Sequence, residues 1–371
     1  MDRRRFARIL GTGACALICA SLARAHSVAQ EVPQEALVEV MFYRALEGNR
    51  VECLICPRQC RIADQERGYC GNKENRAGRY YTLVHSRACA VHVDPIEKKP
   101  FFHVLPGTTS LSIAAAGCNM ECQFCQNWQI AQFRPEQVRS IWLPPAQVIQ
   151  RAKEAGCSTI AYTYSEPISF YEYMFDTAVE AQSKGLKSLV VTNGFINEEP
   201  LKRLCEHVCA VKVDLKAFRE GFYKEICKGE LEPVKRTLVR LLRWGIWTEI
   251  VVLIVPGQND QPAEIKEMAR WIHGELSPDV PVHFTRFHPA YRMQDLPPTP
   301  LATLERCVSI ARKEGLRFVY IGNVPGHKDE STRCPSCQKV VLGRRGFAIT
   351  LRNLEFGRCG SCGRTIPGIW G

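Results

Sequence analysis

Long apolar runs are missing from most of this chain. Between residue 26 and the end, no stretch is long and apolar enough to span a bilayer as a helix. No segment is of low complexity, and no dense basic run with interleaved aromatics is present. The formal net charge of +11 therefore reads as a solvated surface that can attract acidic partners, with little support for nucleic-acid binding. Histidine is scarce, at nine in 371 residues, and none lies in the stretch 112–132, "SIAAAGCNMECQFCQNWQIAQ". That stretch holds Cys118, Cys122 and Cys125. Structural zinc takes four ligands, and no local histidine completes the set.

What the chain does have is cysteine, 19 in all, with hydrophobic residues at 46%, enough for a substantial core. Two cysteines lie in the first 25 residues, eleven fall into three tight groups and six are scattered. Disulfide frameworks belong to small secreted domains, whereas tight clustering in a chain this long favours metal. The scattered Cys89, Cys157, Cys205, Cys209, Cys227 and Cys307 read as small buried residues.

The N-terminus differs from the rest. Residues 1–25 combine Arg3, Arg4 and Phe6, a modestly apolar run, and Ala23, Arg24 and Ala25 before His26. This order matches a cleavable signal of the twin-arginine kind and predicts export to the periplasm. An uncleaved basic extension on a cytoplasmic protein is the alternative. The segment holds five arginines and one aspartate, so without it the net charge falls to +7.

From residue 106 to 325, apolar β-branched runs alternate with longer amphipathic runs. Strands are expected at "TSLSIAAA", "STIAYTY", "KSLVVTN", "AVKVDL", "TEIVVLIV", "PVHFTRF" and "RFVYIGN", with a helical stretch between each pair. Such alternation means an α/β fold with a parallel sheet, and this many units predict a TIM-like barrel or partial barrel. Active sites of barrels sit at the carboxyl ends of the strands. Cys118 follows the first of these strands directly.

Residues 26–105 form an N-terminal Cys-rich segment; its part 51–105 is short on periodicity and carries Cys53, Cys56, Cys60 and Cys70. Four thiolates complete a tetrahedral zinc site and equally a fully ligated [4Fe–4S] cluster. Soft sulfur ligands do not separate the two. Residues 326–371 carry Cys334 and Cys337, then Cys359 and Cys362, with 21 residues between the pairs. That spacing predicts a zinc-ribbon-like tail that supports folding.

The central triplet, C-x3-C-x2-C with Phe124 before the last cysteine, resembles the radical S-adenosylmethionine (radical SAM) superfamily. The resemblance implies a partial (β/α)6 barrel and a [4Fe–4S] cluster on Cys118, Cys122 and Cys125. One iron, without a protein ligand, would take the amino and carboxylate groups of S-adenosylmethionine. It implies reductive cleavage of that cofactor to methionine and a 5′-deoxyadenosyl radical, which abstracts hydrogen from a substrate. A low-potential electron donor such as flavodoxin or ferredoxin would supply the electron. Ser165 and Glu166 in "TYSEP" stand where the superfamily has a glycine-glycine-glutamate turn, with Tyr164 and Ser165 in place of the glycines. Thr192 and Asn193, and Asp214 and Lys216, occupy positions that contact the cofactor in relatives resembling pyruvate formate-lyase activating enzyme. An ion pair at the barrel rim is the other reading of Asp214 and Lys216. Pro256, Gly257 and Asn259 close the fifth strand, and Arg286, His288 and Tyr291 the sixth. His288 reads either as a substrate-facing group or as a structural histidine. Longer strings, "CPRQC", "VDPIEKKPFFHVLPGT", "HFTRFHPAYR" and the terminal "IPGIW", are similar to AmmeMemoRadiSam-system radical SAM enzymes. That family leaves the substrate open. An activase acting on a backbone glycine of a partner protein, and an inactive metal-dependent binding protein, are the alternatives.

Overall fold

The computed structural model describes residues 37–371, so the expected export segment lies outside the described residues. One sheet of eight strands organises the chain. Its strands are β1 (Ala90–Pro95), β2 (Thr109–Ala114), β3 (Thr159–Tyr162), β4 (Lys187–Thr192), β5 (Ala210–Asp214), β6 (Trp247–Ile254), β7 (Val282–Arg286) and β8 (Val319–Gly322). Strands β2 to β8 pair in chain order and all in parallel. β1 lies antiparallel on the outer edge of β2. β1 and β8 are the two ends of the sheet, so the barrel is partial.

A helix crosses between each successive parallel pair: α1 (Pro145–Glu154), α2 (Tyr171–Ser183), α3 (Glu198–Cys205), α4 (Leu231–Arg243), α5 (Pro262–Trp271) and α6 (Leu301–Lys313). Their apolar stripes cover the outer face of the sheet, which is why the strands read as nearly unbroken β-branched runs. In α4, Leu231, Val234, Leu238 and Leu241 are buried at helical spacing. Each such side chain contributes about 1.5–3 kcal/mol by leaving water. α2 and α4 stop where Gly185 and Gly245 take left-handed backbone at φ +77° and +73°.

The segment expected to be irregular is a small β lobe. Tyr43–Leu46, Arg50–Cys53 and Arg61–Ile62 form one antiparallel sheet. Val38–Glu39, Arg79–Thr82 and Lys73–Arg76 form another. Strands of two to four residues are too short to show a period of two, which explains why the sequence pattern misses them. β1 escapes notice because an edge strand has one open face.

The tail is an antiparallel unit: Thr332–Arg333, Val340–Arg345 and Ala348–Arg352, then the pair Leu354–Glu355 and Arg358–Cys359. It has its own small core, in which Val341, Leu342, Leu354 and Ile366 pack with Phe102, Phe318 and Tyr320. Arg344, wholly buried, reaches from the tail to donate to the Phe102 carbonyl at 2.6 Å. Glu249 of β6 accepts from the backbone N–H groups of Phe102 and His103 at 3.0 and 2.9 Å, and meets His283 Nε2 at 2.7 Å. These bonds tie the tail to residues 101–105, and those residues to β6 and β7.

Candidate active site

The site grows from the loop after β2. Gly117 takes φ +113°, and a Cβ there would stand 2.6 Å from Asn72 Nδ2 and 2.8 Å from the Cys70 carbonyl, so only glycine fits. Cys118 follows. The Met120 N–H points at the Cys118 sulfur at 3.4 Å. Glu121 N and Gln123 N donate to the carbonyls of Cys227 and Ile226 at 2.9 and 3.0 Å, strapping the loop to that segment. Phe124 is buried with its ring centroid 5.9 Å from that of Phe222.

β3 delivers the acid. Glu166 is buried and accepts from Thr192 Oγ1 at 2.6 Å, Asn193 N at 2.8 Å and Ile168 N at 3.1 Å. Burial pushes its carboxyl up to about 7, against the pull of those three donors. Ser165 Oγ donates to the Ala115 carbonyl at 2.5 Å. Asn193 Nδ2 donates to Asn119 Oδ1 at 2.7 Å, tying the end of β4 to the cysteine loop.

Tyr164 stands in the turn at φ +68°, a conformation that costs a non-glycine residue about 1–3 kcal/mol. Its hydroxyl donates to Asp94 and accepts from Lys99 Nζ at 3.2 Å. β1 and the turn after it thus hold in place a residue that replaces glycine. Burial pulls the Lys99 ammonium down to about 8, despite its ion pair with Asp94.

β5 places Lys212 and Asp214 on one face by its period of two, and Lys216 continues the series. Asp214 pairs with Lys216 Nζ at 2.8 Å and with Lys212. Burial raises the Asp214 carboxyl, but the two lysines outweigh it and hold the group at about 2.

Cys118, Cys122, Phe124, Cys125, Ser165, Glu166, Thr192, Asn193, Asp214 and Lys216 all line one cavity of about 490 Å³. Val251 and Leu253 of β6, Thr285 of β7 and Ile321 of β8 line it too, so the sheet curves round it. Asp214 and Lys216 form the expected ion pair and also line this cavity. His288 is exposed, and neither it nor Arg286 is among the residues lining this cavity. Arg286 Nε is bound to the Thr299 carbonyl at 2.9 Å. Tyr291 stacks on Trp128 beside a neighbouring cavity. Asn259 is buried and braces the Lys216 carbonyl at 2.7 Å; Gly257 N donates to Asp260.

Sequence reasoning missed Cys227. It is buried, and its proximity holds the Cys122 thiol below the ordinary thiol range. Of the other scattered cysteines, Cys157 and Cys307 are buried, while Cys89, Cys205 and Cys209 are half-buried. Lys212 and Lys99 were likewise not singled out, though Lys99 lies in "VDPIEKKPFFHVLPGT" and Lys212 stands two residues before Asp214 on the same strand face.

Among the described residues, only Cys334, Cys337, Cys359 and Cys362 bring three or more metal-ligating atoms within 4.8 Å of one another. The Cys334–Cys362 and Cys337–Cys359 sulfurs are 3.5 and 3.7 Å apart. Zinc–sulfur bonds of ~2.3 Å place tetrahedral sulfurs about 3.8 Å apart, so the tail fits a single ion. The central triplet shares a cavity wall without closing to that spacing. It fits a polynuclear cluster with a cofactor beside it.

The sequence pattern of the radical SAM superfamily matches residues 112–272. The uncharacterized protein MJ0808 of Methanocaldococcus jannaschii is 44% identical over 330 residues, covering 88% of this chain and 98% of that protein. The chain belongs to the radical SAM superfamily. Among solved structures, this radical SAM protein is similar to a domain of pyruvate-formate lyase-activating enzyme from Bacteroides vulgatus. That match has 17% identity, 45% of this chain, 99% of the other and a TM-score of 0.40. It is also similar to a radical SAM methyltransferase from Sphaerobacter thermophilus, at 17% identity, 84% and 83% coverage and a TM-score of 0.48.

Proposed function

We propose that this chain is a radical SAM enzyme of the AmmeMemoRadiSam kind, which cleaves S-adenosylmethionine reductively and takes a hydrogen atom from a substrate yet to be identified. The observation that carries this reading is the convergence of Cys118, Cys122 and Cys125 with Glu166 on one cavity at the carboxyl ends of the strands. When bound, the cluster and S-adenosylmethionine supply the homolytic chemistry, ending in methionine and a 5′-deoxyadenosyl radical.

The chain's own residues bind, orient and exclude. The thiolates of Cys118, Cys122 and Cys125 would hold the cluster. Glu166, as a carboxylate, would accept from the methionine ammonium, its oxygens held by Thr192 and Asn193. Asp214 and Lys216, charged at neutral pH, offer an acceptor and a cation to the polar end of the cofactor. Phe124, Val251, Leu253 and Ile321 supply apolar wall that keeps water from a reactive species.

The four tail cysteines are read as a structural zinc site. Residues 1–25 are read as a twin-arginine export signal. Arg3→Lys with Arg4→Lys should then trap the precursor in the cytoplasm, and fractionation of native protein with the cytoplasm would remove the idea. The enzymatic reading is tested by anaerobic reconstitution with iron and sulfide. Addition of S-adenosylmethionine should alter the electron paramagnetic resonance signal of the reduced protein. Cys118→Ala, Cys122→Ala and Cys125→Ala should each abolish that response, and its survival in all three would overturn the assignment.

A further inference from the structure

Cys53, Cys56, Cys60 and Cys70 line a single small cavity in the β lobe, together with Lys73 and Tyr80. They face one another across that space, yet no three of their sulfurs lie within 4.8 Å of one another. The tail gives the internal standard for one tetrahedral ion, with sulfur pairs at 3.5 and 3.7 Å. The central triplet gives the standard for a cube of iron and sulfide, whose metal atoms stand at separate corners and keep the thiolates apart. The quartet follows the triplet. Lys73 and Arg58 line the same space, Lys73 buried and 3.5 Å from Glu172.

The quartet lies against the central site. The two residues flanking Cys118 both touch its loop. The Cys70 carbonyl lies against Gly117, where an added Cβ would come within 2.8 Å of it. Arg58 Nε donates to the Asn119 carbonyl at 2.7 Å. Cys70 and Cys118 also line a common open cavity of about 760 Å³. Electron tunnelling weakens steeply with distance, so contact through a single packed residue favours transfer between centres held at these two places.

We propose that Cys53, Cys56, Cys60 and Cys70 hold a second [4Fe–4S] cluster, fully ligated by the protein, that relays one electron to the central site. A low-potential one-electron donor reduces this cluster. The cluster is reoxidised as the electron passes to the cluster on Cys118, Cys122 and Cys125. No bond is made or broken at the quartet, and all four irons have a cysteine, as befits a centre used only for electron transfer. The relay rests on the function proposed above; the ligation does not.

The deciding protein is the full chain carrying Cys118→Ala, Cys122→Ala and Cys125→Ala together, reconstituted anaerobically with iron and sulfide. It should keep about four irons and four sulfides, against about eight of each in the unmodified chain, as two cubane clusters require. Dithionite should elicit a paramagnetic signal that S-adenosylmethionine leaves unchanged. An iron-free variant with about two zinc ions per chain would overturn the proposal. If the triple variant fails to fold, the unmodified chain decides: about eight irons support a second cluster, and about four with an additional zinc overturn it. Loss of any response to S-adenosylmethionine in the unmodified chain, with four irons kept in the triple variant, would sink the proposed function and leave the ligation standing. For the relay, Cys60→Ser should slow dithionite reduction of the central cluster by tenfold or so in stopped flow, its response to S-adenosylmethionine persisting. An unchanged rate would remove the relay.

Discussion

Two sets of four cysteines flank the barrel, equal in number and unlike in spread. In the tail, all four sulfurs crowd within 4.8 Å of one another. In the β lobe, four cysteines line a shared cavity without such crowding. Both begin with a C-x2-C pair, so the pair alone does not name the guest. What differs is the scaffold. The tail closes two hairpin-like turns onto one point, with Cys334 and Cys359 in its own core. The lobe spreads its cysteines over a loop and two strand ends that pack on the barrel. Ligand count sets whether a site is complete; sulfur spacing sets whether it suits one ion or a cluster.

The sharpest way to break this comparison is to remove a ligand from the tail. Cys334→Ser or Cys362→Ser should lose about one zinc per chain and unfold the tail, because structural zinc binding is coupled to folding at roughly 10 kcal/mol or more. Iron content should not change. Unaltered zinc in both variants, measured by metal analysis, would erase the distinction between the two sets.

The barrel site offers a smaller effect with a definite sign. The Glu166 carboxyl stands at about 7 in the folded protein, above its ordinary value of 4.5. Between those values the folded chain holds a proton that the unfolded chain has released. The contribution to cofactor-free stability is therefore present below about 4.5 and lost as pH rises through 7, a change on the order of 3 kcal/mol. Binding of the methionine ammonium needs the carboxylate, so S-adenosylmethionine affinity should rise over the same window. Glu166→Gln should flatten both slopes and weaken binding by about tenfold to a hundredfold. A calorimetric titration with the same pH dependence in both proteins would count against the role given to Glu166.

The smallest expected effect lies at the strained turn. Tyr164→Phe removes the hydroxyl shared with Asp94 and Lys99 but keeps the ring. It should cost about 1 kcal/mol, or a few degrees in Tm for a chain of this size. No change in Tm would show that β1 does not hold this turn.

Much of the barrel is readable from the residues alone. β2 to β8 are buried on both faces, so their β-branched runs stand out. The residues expected at the cofactor site follow those runs directly, as Cys118 follows β2 and Glu166 follows β3, and strand-end position is a local property. β1 was hidden because His92 and Asp94 interrupt its short apolar run. Cys227 was hidden because its place beside the cysteine loop depends on how residues 223–227 pack there. The different sulfur spacings of the two quartets were hidden for the same reason: they follow from backbone paths that motif spacing does not specify. The strain at Tyr164 could be suspected from its place in a glycine-bearing turn, but its support by Asp94 and Lys99 joins residues some 70 positions apart.

The central claim is that the cavity bounded by the triplet and Glu166 cleaves S-adenosylmethionine reductively. The direct measurement is 5′-deoxyadenosine released by the anaerobically reconstituted full chain supplied with S-adenosylmethionine and dithionite. 5′-Deoxyadenosine and methionine are expected in equal amounts, and none of either from Cys122→Ala under the same conditions. No 5′-deoxyadenosine from a chain whose central cluster is intact and reduced, or equal amounts from Cys122→Ala, would contradict it.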